Sequence, residues 1–169
     1  MSQMLKIIPD TASLKGNLPD FSETTHVFVP INDRVAEIGE GGSHWSLLVV
    51  SILDGVAFHY DSLCPSNRRD AMLVTQRISA LIGKDLKFID LDDSPQQENG
   101  SDCGLFVCIH MRHLLLRRLL KVGSSQQINM SMAGKAVDAA SGRKEMMRLI
   151  EEFRKEGERR SWVFHYLAI

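Results

Sequence analysis

The stretch Trp45-Ser46-Leu47-Leu48-Val49-Val50-Ser51-Ile52-Leu53 limits the fold more than any other part of the chain. It is apolar almost throughout, whereas a strand with one wet face alternates. It therefore reads as a central strand of its sheet. Asp54-Gly55 follows, a strong two-residue hairpin signal, and Val56-Ala57-Phe58-His59-Tyr60-Asp61 is the return strand. A tight turn there brings His44, at the entry of the first strand, and Asp61, at the exit of the second, to one end of the ladder. They then stand within about two positions of register.

The remaining elements complete one α+β unit without repeats. Ser2 to Ile8 reads as the end of a helix, and Pro9 to Asp20, punctuated by Pro, Gly and Asn, as loop. His26 to Ile31 is β-branched and aromatic, hence a strand, and Arg34 to Gly42 is a loop. Arg68 to Ile82 has an apolar helical face at Ala71, Val74, Ile78 and Leu81, with Gly83 as its stop. Leu86 to Leu91 alternates as a strand, and Asp92 to Ser101 is loop. Cys103 to Lys121 reads as a buried helix on Leu105, Ile109, Leu116 and Leu120, with Phe106 and Leu119 beside them. Its last turns carry Arg112, Arg117, Arg118 and Lys121, which suit the negative end of the macrodipole. Gly123 to Gly142 is a flexible loop or short broken helix. Arg143 to Arg160 is a charged helix with Met146, Leu149, Ile150 and Phe153 inward, and Trp162 to Ile169 is an apolar tail docked on the core.

Composition narrows the function classes. One domain fits 169 residues, and a net charge of −1 gives no electrostatic case for nucleic acid or an anionic membrane. No apolar run is long enough to span a bilayer, and Met1 to Asp20 lacks a signal-peptide pattern. Cys64, Cys103 and Cys108 are an odd count without framework spacing, which points to free thiols in the cytoplasm and/or nucleus.

Cys103 ends a polar, turn-rich loop, Gln96-Gln97-Glu98-Asn99-Gly100-Ser101-Asp102, and opens a helix. A thiol at a helix N-terminus feels the positive end of the macrodipole, which favours the nucleophilic thiolate. Gly104 leaves the approach to the sulfur open. The plainer reading is a small buried residue that begins a helix. His44 and Asp61 supply what a thiol nucleophile needs: a base, and a carboxylate that fixes the base's tautomer and stabilises its imidazolium. Each alone reads equally as a polar strand end or a turn residue.

Three strings together, Gly41-Gly42-Ser43-His44-Trp45-Ser46-Leu47-Leu48-Val49, Phe58-His59-Tyr60-Asp61-Ser62 and Gln96 to Gly104, resemble the ubiquitin-like-protein-specific cysteine proteases. That group comprises the sentrin/SUMO proteases and the deneddylases. The resemblance runs from about His26 to Lys121 and includes Phe28 to Asp33. Asn32-Asp33, Gly41-Gly42 and the His-Trp-Ser-Leu-Leu-Val string look most like the deneddylase branch.

The resemblance implies a papain-like fold, a central mixed sheet flanked by helices, and cleavage after the C-terminal Gly-Gly of a ubiquitin-like modifier without cofactor. It implies Cys103 as nucleophile, His44 as base and then acid, and Asp61 as orienting carboxylate. Gln97 takes the place of the oxyanion-hole glutamine, with Gln96 its competitor. Trp45 matches the tryptophan that lines the channel for the Gly-Gly tail, though core packing explains a tryptophan equally well. Asp102 is given a helix-capping role. The neddylation modifier is the expected partner ahead of SUMO or ubiquitin, and the chain is expected to be monomeric. An upstream segment with a tryptophan, which covers the tail in the family, is not found before Pro9; the only tryptophans are Trp45 and Trp162.

Other clusters point elsewhere only weakly. Cys103 and His110 share a helix face but stand ~10 Å apart along the axis. They cannot both reach one ion at ~2.0–2.3 Å, so no metal site is expected from Cys103, Cys108, His110 and His113. Two rival functions use the same residues: a non-catalytic module that binds a ubiquitin-like modifier, and an acyltransferase that delivers the acyl group to an amine.

Overall fold

A computed structural model of the chain describes residues 2–8, 10, 13–14, 16, 18, 20–34, 42–121 and 128–166, with side chains up to residue 159. Four strands form one mixed sheet in the order β1 (His26–Asn32), β2 (Trp45–Ser51), β3 (Val56–Tyr60), β4 (Lys87–Asp90). The first three are antiparallel, and β4 runs parallel to β3. A parallel neighbour needs a crossover, and α2 (Arg68–Ile82) supplies it. The sequence expectation of an α+β fold with a central mixed sheet is met.

β2 is central, as its composition requires. Leu47, Leu48, Val49 and Val50 are all 0% exposed, because both sheet faces are covered. Leu48 and Val50 point with Val29, Ile31 and Ala57 toward Leu5 of α1 (Ser2–Ile7) and Ala71, Val74, Ile78 and Leu81 of α2. Leu47, Val49 and Tyr60 point the other way, toward Val107 and Leu114 of α3 (Cys103–Arg117). The face expected for α2 is the face it buries, and Gly83 ends it with φ of 65°, a left-handed conformation open to glycine.

Several expectations need correction. The β2–β3 connection is a four-residue turn, residues 52–55, and not the two-residue turn Asp54-Gly55. Ser51 therefore pairs with Val56, and its hydroxyl donates to the Asp54 carboxylate at 2.6 Å, closing the turn. Asp61 follows Tyr60, which pairs with Leu47, and so the sequence reading of a shared ladder end for His44 and Asp61 survives the change in register.

α3 ends at Arg117, and Leu119–Lys121 is a separate 3-10 turn. Its buried stripe is Cys103, Phe106, Val107, His110 and Leu114, while Leu116 and Leu120 are exposed. A helix this rich in leucine offers more than one apolar stripe, and the sheet selects the one with a histidine in it. In the segment expected as loop, residues 122–127 lie outside the described residues. Met130 and Met132 are buried beneath the sheet, and Tyr60 Oη donates to the Met130 carbonyl at 2.7 Å.

By contact the chain divides into Met1–Ala136 and Val137–Ile169. The second unit contains α4 (Ala139–Tyr166), longer at both ends than its charge pattern suggests. Met147, Ile150 and Phe153 on it are exposed, where Ile150 and Phe153 were expected inward. Its described side chains include the i,i+3 and i,i+4 ion pairs of Arg148 with Glu152 and of Arg154 with Glu151 and Glu158. The expected docking of the Trp162–Ile169 tail falls on side chains outside the described residues. Among the described residues no helix is long and apolar enough to cross a membrane.

Candidate active site

The site grows from the end of the sheet where β1 and β2 outrun their last pair. Asp33 N–H donates to the His44 carbonyl at 3.3 Å, extending the ladder one step. Asn32 Nδ2 reaches the same carbonyl at 3.0 Å, and Asn67 Nδ2 reaches it at 3.3 Å. The Asp33 carboxylate accepts from Ser43 N–H at 2.7 Å, Ser43 Oγ at 2.6 Å and His44 N–H at 3.1 Å. Burial pushes the Asp33 carboxyl up, but the Ser43 hydroxyl and these N–H groups hold it below its ordinary value. Gly42 is needed here: its φ is +93°, and a Cβ would sit 2.1 Å from Asn32 Oδ1. The main chain of His44 is thus clamped from several sides before its ring does anything.

The ring is buried and paired. His44 Nε2 lies 2.5 Å from Asp61 Oδ1, with His44 4% and Asp61 2% exposed. Asp61 Oδ1 also accepts from Leu63 N–H at 3.0 Å, and Oδ2 accepts from Asn67 N–H at 2.9 Å. Burial raises the Asp61 carboxyl, but the N–H groups of Asn67 and Leu63 and the His44 ring more than reverse this, so its pKa is lowered. An ionised carboxylate only accepts, so Nε2 is the ring nitrogen that donates to Asp61. Nδ1 has no hydrogen bond among the described residues and is the ring's open position for proton transfer.

A chain of polar contacts joins this pair to the cysteine loop. Gln96 Nε2 donates to the Asp61 carbonyl at 2.8 Å and to the Ser94 carbonyl at 2.9 Å, while its Oε1 accepts from Cys64 N–H at 3.0 Å. Gln97 N–H donates to the Ser62 carbonyl at 2.8 Å, and Ser62 Oγ donates to Gln97 Oε1 at 2.7 Å. Gln97 Nε2 donates to the Asn99 carbonyl at 2.5 Å. Asn99 Oδ1 accepts from the N–H groups of Ser101 at 2.9 Å and Asp102 at 3.0 Å, which folds the turn ahead of Cys103. Cys103 is the first residue of α3 and 7% exposed. A Cβ on Gly104 would meet nothing within 4 Å.

The family model described as the Ulp1 protease family, C-terminal catalytic domain, matches residues 10–145. The chain belongs to the Ulp1 protease family. Among relatives of this family member, NEDD8-specific protease 2 of Schizosaccharomyces pombe is 36% identical over 144 residues, 84% of this chain and 34% of that protein. NEDD8-specific protease 1 of the same yeast is 45% identical over 97 residues, 56% of this chain and 22% of that one. Sentrin-specific protease 8 of Homo sapiens is 39% identical over 112 residues, 63% of this chain and 52% of that one. The chain therefore spans a fifth to about a half of the length of these relatives. A solved C-terminal Ulp1 protease domain in complex with Smt3 aligns at 20% identity and TM-score 0.47, covering 66% of this chain and 52% of that one.

Within this Ulp1-family chain the structure brings His44 and Asp61 into contact and ties Gln97 to Ser62, the residue after Asp61. Trp45 opens β2 and is 43% exposed, so the alternative of core packing does not hold for it. Asp102 is the N-cap of α3, but its side chain makes no capping bond; its carboxylate accepts from Asn99 Nδ2 at 2.8 Å instead. Among the described residues no group of three His, Cys, Asp or Glu is placed to hold a metal ion. Sequence reasoning missed Asn67 altogether. It stands just before α2, where asparagine is an ordinary capping choice, so nothing in the sequence set it apart.

Proposed function

We propose that this chain is a thiol isopeptidase or endopeptidase that cleaves after the C-terminal Gly-Gly of a ubiquitin-like modifier, with NEDD8 ahead of SUMO and ubiquitin. The observation that carries the reading is the buried His44–Asp61 pair, stitched through Gln96, Gln97 and Asn99 to the loop that ends at Cys103. In this reading His44 Nδ1 takes the thiol proton. The Cys103 sulfur attacks the carbonyl of the terminal glycine, and the imidazolium, held by Asp61, returns the proton to the leaving amine. Water then attacks the thioester with His44 again as base.

Gln97 is the oxyanion donor. Gln96 has both N–H groups engaged, on Asp61 and Ser94, whereas Gln97 commits one to Asn99 and keeps one. One such donor is worth ~3–4 kcal/mol in the transition state. Trp45, exposed beside the base, is the wall of a channel that only side-chain-free residues pass. The choice of NEDD8 follows from the names and identities of the relatives above. The three free cysteines support a reducing compartment, the cytoplasm and/or nucleus.

Hydrolysis of C-terminal fluorogenic amides of NEDD8, SUMO and ubiquitin tests the assignment. The reading expects kcat/KM highest for NEDD8. Equal rates on all three would remove the specificity. Binding of all three without hydrolysis would favour a modifier-binding module, and transfer to an added amine in preference to water would favour an acyltransferase.

A further inference from the structure

Asn67 is 0% exposed and sits at the N-cap of α2, yet its side chain makes no capping bond. An asparagine selected to start a helix turns its Oδ1 onto the first free N–H groups. Here the side chain turns back instead. Its Nδ2 donates to the carbonyls of Ile31 and His44, each at 3.3 Å, and its Oδ1 is left buried with no partner. Its own main-chain N–H meanwhile donates to Asp61 Oδ2 at 2.9 Å. One residue therefore grips His44 with its side chain and Asp61 with its backbone. Two carbonyls at the amide nitrogen fix the amide's orientation, since only a donor fits between them.

We propose that Asn67 is a positioning residue that sets the separation and orientation of the His44–Asp61 pair by holding both partners at once. The inference rests on the reading of that pair as base and orienting carboxylate. Asn32 Nδ2 holds the same His44 carbonyl from the side of β1, at 3.0 Å, but has no bond to Asp61; among the described residues Asn67 is the one that hydrogen-bonds to both. Without the amide, the main-chain N–H of residue 67 still donates to Asp61, but the side chain no longer ties that contact to His44. The hydrogen bond between ring and carboxylate then loses its fixed geometry, which is felt in the transition state more than in substrate binding.

The test uses the 169-residue chain with Asn67→Ala and Asn67→Ser, read in three ways: kcat and KM on the NEDD8 C-terminal amide, the downfield Nε2–H resonance of His44, and the thermal midpoint. For Asn67→Ala we expect kcat to fall roughly ten- to hundredfold with KM little changed, and the resonance to broaden or move upfield. Asn67→Ser, which keeps a hydroxyl donor, recovers part of both. If Asn67→Ala does not fold, the serine variant carries the test with the same expected directions. A lower thermal midpoint with kcat and the resonance unchanged would make Asn67 merely structural and overturn the proposal, as would a change confined to KM. If the wild-type chain shows the resonance but hydrolyses none of the modifiers, the protease reading fails; loss of the resonance in Asn67→Ala would still support the positioning role.

Discussion

His44–Asp61 and His59–Asp90 are both histidine–carboxylate pairs on one face of the sheet, the first buried and the second half-buried at Asp90, with nitrogen–oxygen distances of 2.5 and 2.7 Å. His59 precedes Asp61 by two residues on its strand, and Ser46 follows His44 by two, so the pairs are stacked along the same two strands. The difference lies in the second ring nitrogen. His59 has Nδ1 on Asp90 and Nε2 on Ser46 Oγ at 2.9 Å, and it is 0% exposed. By distance Ser46, His59 and Asp90 reproduce a serine hydrolase array, but Ser46 is 1% exposed and no substrate reaches it. This pair ties β2 and β3 to β4. His44 lies past the paired end of β2 and keeps Nδ1 uncommitted. A histidine–carboxylate contact becomes chemistry where one nitrogen is spare and the strand has ended; one step further into the sheet, the same contact is glue.

The largest effect expected is at the sulfur. Cys103→Ser should lower turnover by about a thousandfold or more while modifier binding is retained, because the hydroxyl is far less ionised than the thiol. Equal hydrolysis by both forms would remove the chemistry from this end of the sheet. The comparison itself is tested by a pair of substitutions. Asp61→Asn should reduce kcat by up to ~10⁴ through loss of tautomer control. Asp90→Asn should leave kcat within about threefold but cost about 1.5–3 kcal/mol of stability through its bond to His59, read by urea denaturation. If the two variants exchanged these phenotypes, the roles assigned to the pairs would be reversed.

Gln97→Ala should cost about 10²–10³ in kcat, and Gln96→Ala much less in kcat but more in thermal midpoint. The opposite ranking would return the oxyanion role to Gln96.

The smallest effect on activity belongs to a third histidine. His110 is 1% exposed on α3, its Nε2 has no partner, and burial, with His113 nearby, pushes its pKa down to about 4. The unfolded chain binds this proton near pH 6.5, whereas the folded chain binds it only near 4. Stability is therefore full above about 6.5 and falls as pH drops toward 4, by about 3 kcal/mol in all. His110→Phe should flatten that slope in urea titrations between pH 7 and 4 and change kcat little. An unchanged slope would show that His110 is not the group responsible. Asp61, whose folded pKa is lowered, contributes stability above the unfolded value near 3.9 and loses it below. Its effect thus falls at more acid pH and is separable.

What the sequence made legible follows from how local each signal is. β2 declares itself because four consecutive buried residues leave no other option, and α2 because its face and its Gly83 stop agree. The four-residue turn was hidden because Ile52 and Leu53 look like strand, although Leu53 is 57% exposed. The buried stripe of α3 was hidden because the sheet chooses among its leucines, and Met130 and Met132 because a Ser- and Gly-rich stretch has no period to read. His44, Asp61, Gln97 and Cys103 were legible as motifs. The bonds that hold His44 and Asp61 in place were not, since they come from Asn67 and Gln96, whose side chains bind main-chain atoms far away in sequence.

The central claim is that this site activates one thiol, and the three cysteines supply their own control. Cys64 and Cys108 are exposed, whereas Cys103 is buried. NEDD8 carrying a C-terminal vinyl sulfone, which forms a thioether with a thiolate aligned to the Gly-Gly tail, should be incubated with the chain and the adduct mapped by mass spectrometry. The account predicts a single adduct on Cys103, the least accessible of the three, that disappears in Cys103→Ser. Labelling of Cys64 or Cys108 in its place, or an adduct that persists in Cys103→Ser, would show that exposure and not the His44–Asp61 site decides reactivity, and would contradict it.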